Sequence, residues 1–210
     1  MKNSIFTLPI DYERVAATIN WEEGWVAQAE YEGVRCFLTK NGAKNKKQEE
    51  ILSIPHILND LIPFFEAHPE AVLDGEICNI AYLDRKQKIK ELANKKELID
   101  IEEHKKFLRF YIYDGYNFNN LTKEFSYKER KEFIDDGIFK KYAYIGYVLS
   151  LPCRDEETLI KNTEILTKDG QKKLFLRNLN SPYFFGKNTN FLKIEVSALK
   201  KKFDKRPEKL

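Results

Sequence analysis

Short strand-like segments that follow one another closely constrain the fold of this chain more than any other feature. Residues 25–31 and 34–40 are rich in aromatic and β-branched side chains, and only Glu32 and Gly33 separate them. This spacing predicts a hairpin, because an antiparallel pair needs only a tight turn, whereas a parallel pair needs a crossover of about a dozen residues or more. The same reasoning predicts two strands around a turn at 74–76.

Helical patterns lie between these strands. Residues 55–67 have apolar side chains at helical spacing with a break at Pro63, and the highly charged residues 84–106 predict a long exposed helix or a helix pair. A capping box at Ser126 and an N-cap at Asp155 predict two further helices. The remaining predicted segments are a helix over 11–20 and strands over 71–73, 77–82, 107–113, 142–149, 173–177 and 191–196. This alternation predicts an α+β fold with antiparallel sheets rather than a doubly wound parallel sheet.

Positive charge is concentrated at the end of the chain. The formal net charge of the 210 residues is only +3, and residues 199–210 contain six basic and two acidic side chains. We therefore predict one domain over 1–198 followed by a basic C-terminal tail over 199–210. The tail is either a solvated segment or a contact for nucleic-acid phosphates. Its candidate contacts are Lys200, Lys201, Lys202, Lys205 and Arg206.

Cysteine and histidine usage indicates neither a disulfide framework nor a metal site. The three cysteines are scattered and odd in number, and the three histidines lack the spacing of zinc ligands. No run approaches the roughly 18 apolar residues of a membrane span. These features predict a protein of the cytoplasm, or of the host cell cytoplasm if the chain is viral, with no membrane partner.

Five motifs occur in order between residues 28 and 195. Alone, each is explained by a turn or a buried strand. The series is Glu30-Tyr31-Glu32-Gly33-Val34-Arg35, then Leu73-Asp74-Gly75-Glu76, then Phe110-Tyr111-Ile112-Tyr113-Asp114, then Leu174-Phe175-Leu176-Arg177 with Ser181-Pro182-Tyr183, and finally Phe191-Leu192-Lys193-Ile194-Glu195.

Together, these motifs resemble those of ATP-dependent DNA ligases, in the superfamily of covalent ligases and capping enzymes. The resemblance implies a nucleotidyltransferase fold of two antiparallel β-sheets flanked by helices, with a nucleotide groove between the sheets. In the family an oligonucleotide-binding barrel follows the last motif. Only 15 residues follow Glu195 here, too few for a five-stranded barrel. We therefore expect no barrel, unless a protein partner supplies that second domain.

The resemblance also implies which residues bind the nucleotide. Gln28 and Tyr113 match positions that contact and stack on adenine, although Tyr113 is equally well explained as a core tyrosine. Glu76 matches the carboxylate that contacts the ribose hydroxyl.

The phosphates and ribose would be contacted by basic residues. Arg35 matches the arginine that contacts ribose and phosphate, and its guanidinium suits bidentate anion binding. Lys193 matches a phosphate-contacting lysine, or is a solvated strand residue. Arg177 follows the fourth motif and completes the set.

The chain departs from the family pattern by charge reversal. Glu30 stands where the family carries the lysine that attacks the α-phosphate of ATP. Lys172 replaces a glutamate that helps to organise the metal and that lysine, and Lys173 replaces a glycine. Glu195 replaces the second lysine of the last motif, and Glu32 stands where Asp or Asn is usual. We expect Glu30 and Lys172 to lie close together as an ion pair of inverted polarity.

These reversals lead to two functional hypotheses. The first is a pseudo-ligase that binds a nucleotide, DNA, RNA or a protein partner without self-adenylation. The alternative is an active DNA or RNA ligase or adenylyltransferase that uses Lys193, Lys172 or Lys173, or that acts on a pre-adenylated substrate. ATP or AMP and Mg²⁺ would be its cofactors only if the ancestral activity is retained; otherwise we expect none.

Overall fold

A computed structural model describes residues 6–204. In chain order its strands are β1 (Thr7–Asp11), β2 (Trp25–Ala29), β3 (Val34–Thr39), β4 (Gly42–Asn45), β5 (Val72–Cys78), β6 (Arg109–Tyr116), β7 (Ile145–Gly146), β8 (Ser150–Cys153), β9 (Lys173–Asn178) and β10 (Gly186–Glu195). The α-helices are α1 (Pro55–Asp60), α2 (Ile62–Ala67), α3 (Lys86–Ala93), α4 (Ile101–Phe107), α5 (Tyr127–Phe133), α6 (Glu156–Leu166) and α7 (Val196–Asp204). The fold is α+β, as predicted, and the described strands form no closed barrel.

The chain divides into two compact units. Of the described residues, 6–30 and 149–204 form the first unit, and 31–148 form the second. The sheet of the first unit has the order β1-β10-β9-β2-β8, and that of the second unit has the order β4-β3-β5-β6-β7. Both sheets are mainly antiparallel, but each has one parallel pair at an edge, β1 with β10 and β6 with β7.

The hairpin predicted around Glu32 and Gly33 is wrong. β2 pairs with β8 and β9 in the first unit, whereas β3 pairs with β4 and β5 in the second. The chain therefore leaves one sheet at Glu30 and enters the other. The turn predicted at 74–76 is also wrong, because these residues continue through β5 with an irregularity in register between Asp74 and Gly75.

Several local predictions are confirmed. The charged stretch forms the helix pair α3 and α4, and the helix over 55–67 is broken before Pro63. Ser126 and Asp155 both form capping boxes. In contrast, residues 11–20 form two short 3-10 turns with Val15 between them at φ −129°, and the strand predicted over 142–149 is reduced to β7.

The first residues of the predicted basic tail belong to a helix. α7 spans Val196–Asp204, and its Leu199 is buried, so residues on both sides of position 198 belong to one helix. Lys205 and Arg206 lie outside the described residues. Among the residues that the structure describes, no helix is long and apolar enough to cross a membrane.

The core of the second unit contains a buried histidine. His56 on α1 is 5% exposed, and its ring packs edge-on against Tyr144 at 4.8 Å between centroids. Its Nε2 lies 3.4 Å from the Leu108 carbonyl oxygen, and Nδ1 has no hydrogen-bond partner among the described residues. Burial is the main cause that lowers the pKa of His56 to about 4, and the positive charge of Arg109 acts in the same direction.

This histidine predicts a loss of stability in mild acid. Between pH 6.5 and 4 the unfolded chain protonates His56 while the folded chain does not, so stability falls as pH falls through that window. We expect a loss of about 1.5 kcal/mol between pH 6.5 and pH 5 from this group. Denaturant unfolding of the wild type and His56→Gln at several pH values measures it. Equal pH dependence of the two proteins would contradict the prediction.

Candidate functional site

One face of the first unit's sheet gathers most of the predicted site residues of that unit. Cross-strand neighbours share a face, and side chains alternate along a strand. Gln28 is opposite Phe175, which is opposite Lys193, and Arg177 is opposite Phe191. Glu30 follows Gln28 by two residues, and its backbone N–H donates to the Lys173 carbonyl oxygen at 3.0 Å. The register therefore brings this set together: Gln28, Glu30, Lys173, Arg177, Lys193 and Glu195.

The predicted ion pair between Glu30 and Lys172 is not formed. Lys172 lies just before β9 with an exposed side chain, and it forms no ion pair within residues 6–204. Instead, Lys173 is the direct register partner of Glu195, and their side-chain atoms Nζ and Oε1 lie 3.5 Å apart. Because both side chains are nearly half exposed, this pair is worth at most about 1 kcal/mol.

The other members of this face differ in exposure. Gln28 is fully buried and donates from Nε2 to the Ser150 hydroxyl at 2.8 Å. Arg177 is also buried, with its guanidinium carbon 4.1 Å from the centroid of the Phe191 ring. Lys193 is only partly buried and forms no ion pair in the described part of the chain. Of the predicted basic contacts on this sheet, Lys193 is thus the more accessible.

In the second unit, Arg35 is held by a residue that the sequence did not identify as its partner. Arg35 Nε and Nη2 donate to the two carboxylate oxygens of Asp74 at 2.6 and 2.8 Å. The side chain of Asp74 has no exposed surface. The pairing of β3 with β5 makes Asp74 a diagonal neighbour of Arg35 on the same face of the sheet. The arginine of the first motif is therefore neutralised by the aspartate of the second.

The remaining predicted contacts of the second unit also bond within it. Glu76 is opposite Arg35 in the sheet, and its Oε1 accepts from the Gly33 N–H at 2.9 Å. Tyr113 is fully buried, and its hydroxyl accepts from the Tyr31 N–H at 2.8 Å. Burial raises the pKa of Tyr113 well above its usual value. Arg35, Glu76 and Tyr113 therefore help to hold the start of β3 against its sheet.

Sequence reasoning missed two further charge clusters in the second unit. Asp114, the last residue of the third motif, forms a buried bidentate ion pair with Arg130 at 2.8 and 3.0 Å. Glu32 accepts hydrogen bonds from Lys86 and Lys90 on α3. The lysine spacing of four was visible in the sequence, but nothing there showed that both side chains meet Glu32.

Two of the predicted nucleic-acid contacts are exposed on α7. Lys200 and Lys201 form no ion pair with any described residue, whereas Lys202 pairs with Glu156 and lies over the Tyr12 ring. No group of His, Cys, Asp and Glu suited to a metal ion occurs in residues 6–204. The second unit also has a cavity of about 440 Å³, lined by Leu58, Ile62 and Phe65 among others, but it contains none of the predicted site residues.

An α+β chain with these two sheets and this order of motifs has the fold of a ligase-type nucleotidyltransferase domain. The family model described as the ATP dependent DNA ligase domain matches residues 11–195, and the chain belongs to that family. No curated protein is similar enough in sequence to count as a match.

Solved structures of DNA ligases have a similar fold. A Lig E DNA ligase aligns with a TM-score of 0.68 and 18% identity over 90% of this chain and 68% of its own. The Chlorella virus DNA ligase-adenylate aligns with a TM-score of 0.63 and 17% identity over 91% of this chain and 67% of its own. The ligase of bacteriophage T7, solved with ATP, aligns with a TM-score of 0.62 and 14% identity over 92% of this chain and 68% of its own. The chain spans 46% of another similar structure, Pmar-Lig_Pre.

Proposed function

We propose that this chain is a ligase-type nucleotidyltransferase domain that binds nucleic acid and does not adenylate itself. The observation that carries the proposal is the carboxylate of Glu30 on the sheet face that also carries Lys193 and Arg177. We take Glu30 to stand where the family carries its nucleophilic lysine, as the motif resemblance implies. Because the residue at this position forms the bond to AMP in the family, its chemistry decides whether the first step of ligation occurs.

A carboxylate does not perform that step as an amine does. The lysine amine attacks the α-phosphate of ATP, forms a P–N bond and releases pyrophosphate. A carboxylate would form at best a labile mixed anhydride, and it repels the triphosphate. At an effective dielectric constant of about 20, one like charge at about 4 Å opposes binding by about 4 kcal/mol. Glu195 lies on the same face, where Lys173 offsets its charge.

The alternative nucleophiles are not equally placed. Lys173 is paired with Glu195, and Lys172 lies outside the strand. Lys193 remains, because it is on the same face as Gln28 and is partly exposed. An active enzyme built on this chain would therefore use Lys193 or a DNA end that is already adenylated.

Binding of nucleic acid is supported by family membership and by exposed cations. Lys200 and Lys201 are available on α7 for phosphate contacts. Of the residues predicted to contact the nucleotide, Arg35 is already bonded to Asp74 and Tyr113 to the Tyr31 N–H. These contacts favour nucleic acid over free ATP as the ligand.

Incubation with ATP labelled at the α-phosphate tests the proposal. We expect no label on the denatured wild-type chain or on Lys193→Ala, with an active ATP-dependent ligase as positive control. Label that acid removes and neutral hydroxylamine does not would indicate a P–N bond, and its loss in Lys193→Ala would assign it to that lysine. Label that neutral hydroxylamine removes would indicate an anhydride on Glu30 or another carboxylate. Either result would overturn the proposal.

Two further assays complete the test. A nicked duplex with a 5′-adenylated end should remain unsealed, and sealing would show that the later chemistry survives. Fluorescence anisotropy with an unadenylated nicked duplex should show binding that weakens steeply with salt. Absence of binding at low salt would contradict the nucleic-acid part of the proposal.

A further inference from the structure

The carboxylate of Glu32 lies between two lysine side chains of α3. Lys90 Nζ is 2.9 Å from Oε1, and Lys86 Nζ is 3.2 Å from Oε2. The lysines are four residues apart, so they lie on the same side of the helix. Ile89, Leu92 and Ala93, on the adjoining side of the helix, are buried in the core of the second unit. The helix is therefore fixed with this lysine pair directed at Glu32.

Charge is segregated along this part of the chain. Residues 85–96 contain six basic side chains and one acidic side chain, whereas residues 97–103 contain four acidic side chains and no basic one. Taken together, the two stretches look like one solvated face of mixed charge. In the structure, Lys88 of the first stretch pairs with Glu103 of the second, whereas Lys86 and Lys90 face Glu32.

The arrangement around Glu32 has the chemistry of a phosphate site. A carboxylate and a phosphodiester are both monoanions with two acceptor oxygens, and lysine ammonium groups bind either. Two ammonium groups around one carboxylate leave one positive charge that Glu32 does not neutralise. The hydrogen bonds from Lys90 and Lys86 lower the pKa of Glu32 to about 2, so this group is ionised throughout the physiological range.

The two lysines hold the Glu32 carboxylate only weakly. The Glu32 side chain is 57% exposed, and the lysines are about one-third exposed. Ion pairs this exposed are weak and are screened by salt. A polyanion that offers several phosphates at once can therefore compete with a single carboxylate.

We propose that Lys86 and Lys90 form a binding site for a nucleic-acid phosphate, and that Glu32 occupies this site as an intramolecular competitor when nucleic acid is absent. The inference rests on the proposed function, since it assumes that the chain binds nucleic acid. It adds to that function a specific phosphate site on α3 and a carboxylate, Glu32, that lowers the affinity of this site for nucleic acid.

Opposite effects of two substitutions test the site. Binding of a nicked duplex is measured by anisotropy at several salt concentrations on the full chain. Glu32→Gln should tighten binding about fivefold at low salt, because one like charge is removed from beside the phosphate. Lys86→Ala/Lys90→Ala should weaken binding about tenfold and reduce the slope of log K against log salt by about two.

Matched controls separate the site from general charge effects. Glu132→Gln changes the net charge as Glu32→Gln does, and Lys128→Ala/Lys140→Ala removes two exposed lysines of the same unit that also have acidic partners. Both controls should change affinity less than twofold. In the triple variant with both lysines removed, Glu32→Gln should no longer tighten binding. Circular dichroism and thermal unfolding verify that each variant is folded.

The outcomes distinguish this inference from the proposed function. If the Lys86→Ala/Lys90→Ala variant binds the duplex as tightly as the wild type, the α3 site is overturned and nucleic-acid binding is left intact. Equal effects of the control and test substitutions would also overturn it. If neither the wild type nor Glu32→Gln binds the duplex at low salt, both the site and the nucleic-acid function are overturned.

Discussion

Asp74→Asn is expected to lower the free energy of unfolding by about 3–5 kcal/mol, because it leaves the Arg35 guanidinium buried without its counter-ion. The native pair is bidentate, and the two side chains are 7% and 0% exposed. Asparagine keeps nearly the same volume, so the loss reports charge rather than a cavity. Urea denaturation at pH 7 measures it.

Two comparisons show whether the burial of this pair is responsible for the loss of stability in Asp74→Asn. Arg35→Met/Asp74→Leu should lose much less unfolding free energy than Asp74→Asn alone, because neither buried charge then remains. Lys173→Ala, which breaks the exposed pair with Glu195, should cost no more than about 1 kcal/mol. A cost for Asp74→Asn as small as that for Lys173→Ala would show that Arg35 reaches solvent or another anion.

Gly33→Ala should destabilise the second unit by at least about 3 kcal/mol, because it inserts a methyl group where the backbone leaves no room. A Cβ at this position would lie 2.1 Å from the Ile77 carbonyl oxygen and 2.8 Å from the Cys78 Cβ. The backbone oxygen cannot move without disturbing β5. The Gly33 N–H is also bonded to Glu76, so the start of β3 should be displaced from its sheet.

Gly137→Ala provides the matched control for this substitution. Its nearest neighbours are Phe133 ring atoms at 3.4 Å, which is an ordinary contact. We expect Gly137→Ala to change the unfolding free energy by less than about 1 kcal/mol. Similar melting temperatures for Gly33→Ala and wild type would contradict the close approach of β3 and β5.

The contacts behind these two predictions give structural roles to residues of the first three motifs. Gly33 permits a close contact between strands, and Asp74 neutralises Arg35. Tyr113 likewise anchors the Tyr31 N–H. These contacts within the second unit give each of the three residues a structural role that does not depend on a bound nucleotide.

Local sequence determined the features that depend on a few neighbouring residues. The capping boxes at Ser126 and Asp155, the break before Pro63 and the helix pair over 84–106 follow from short-range hydrogen bonding and apolar periodicity. The order of the five motifs also identified the family, which the match over residues 11–195 confirms. The nature of the residue at position 30 is likewise a property of the sequence alone.

Tertiary structure decided which residues meet. The turn-like spacing at Glu32-Gly33 does not distinguish a hairpin from a crossing between sheets, because the pairing of β2 and β3 depends on distant strands. For the same reason Glu195 pairs with Lys173, its register partner, whereas Lys172 was expected to pair with Glu30. The chain's residues fix the available charges and local conformations, but strand register and helix packing determine which charges become neighbours, since these depend on burial of apolar surface far away in the sequence.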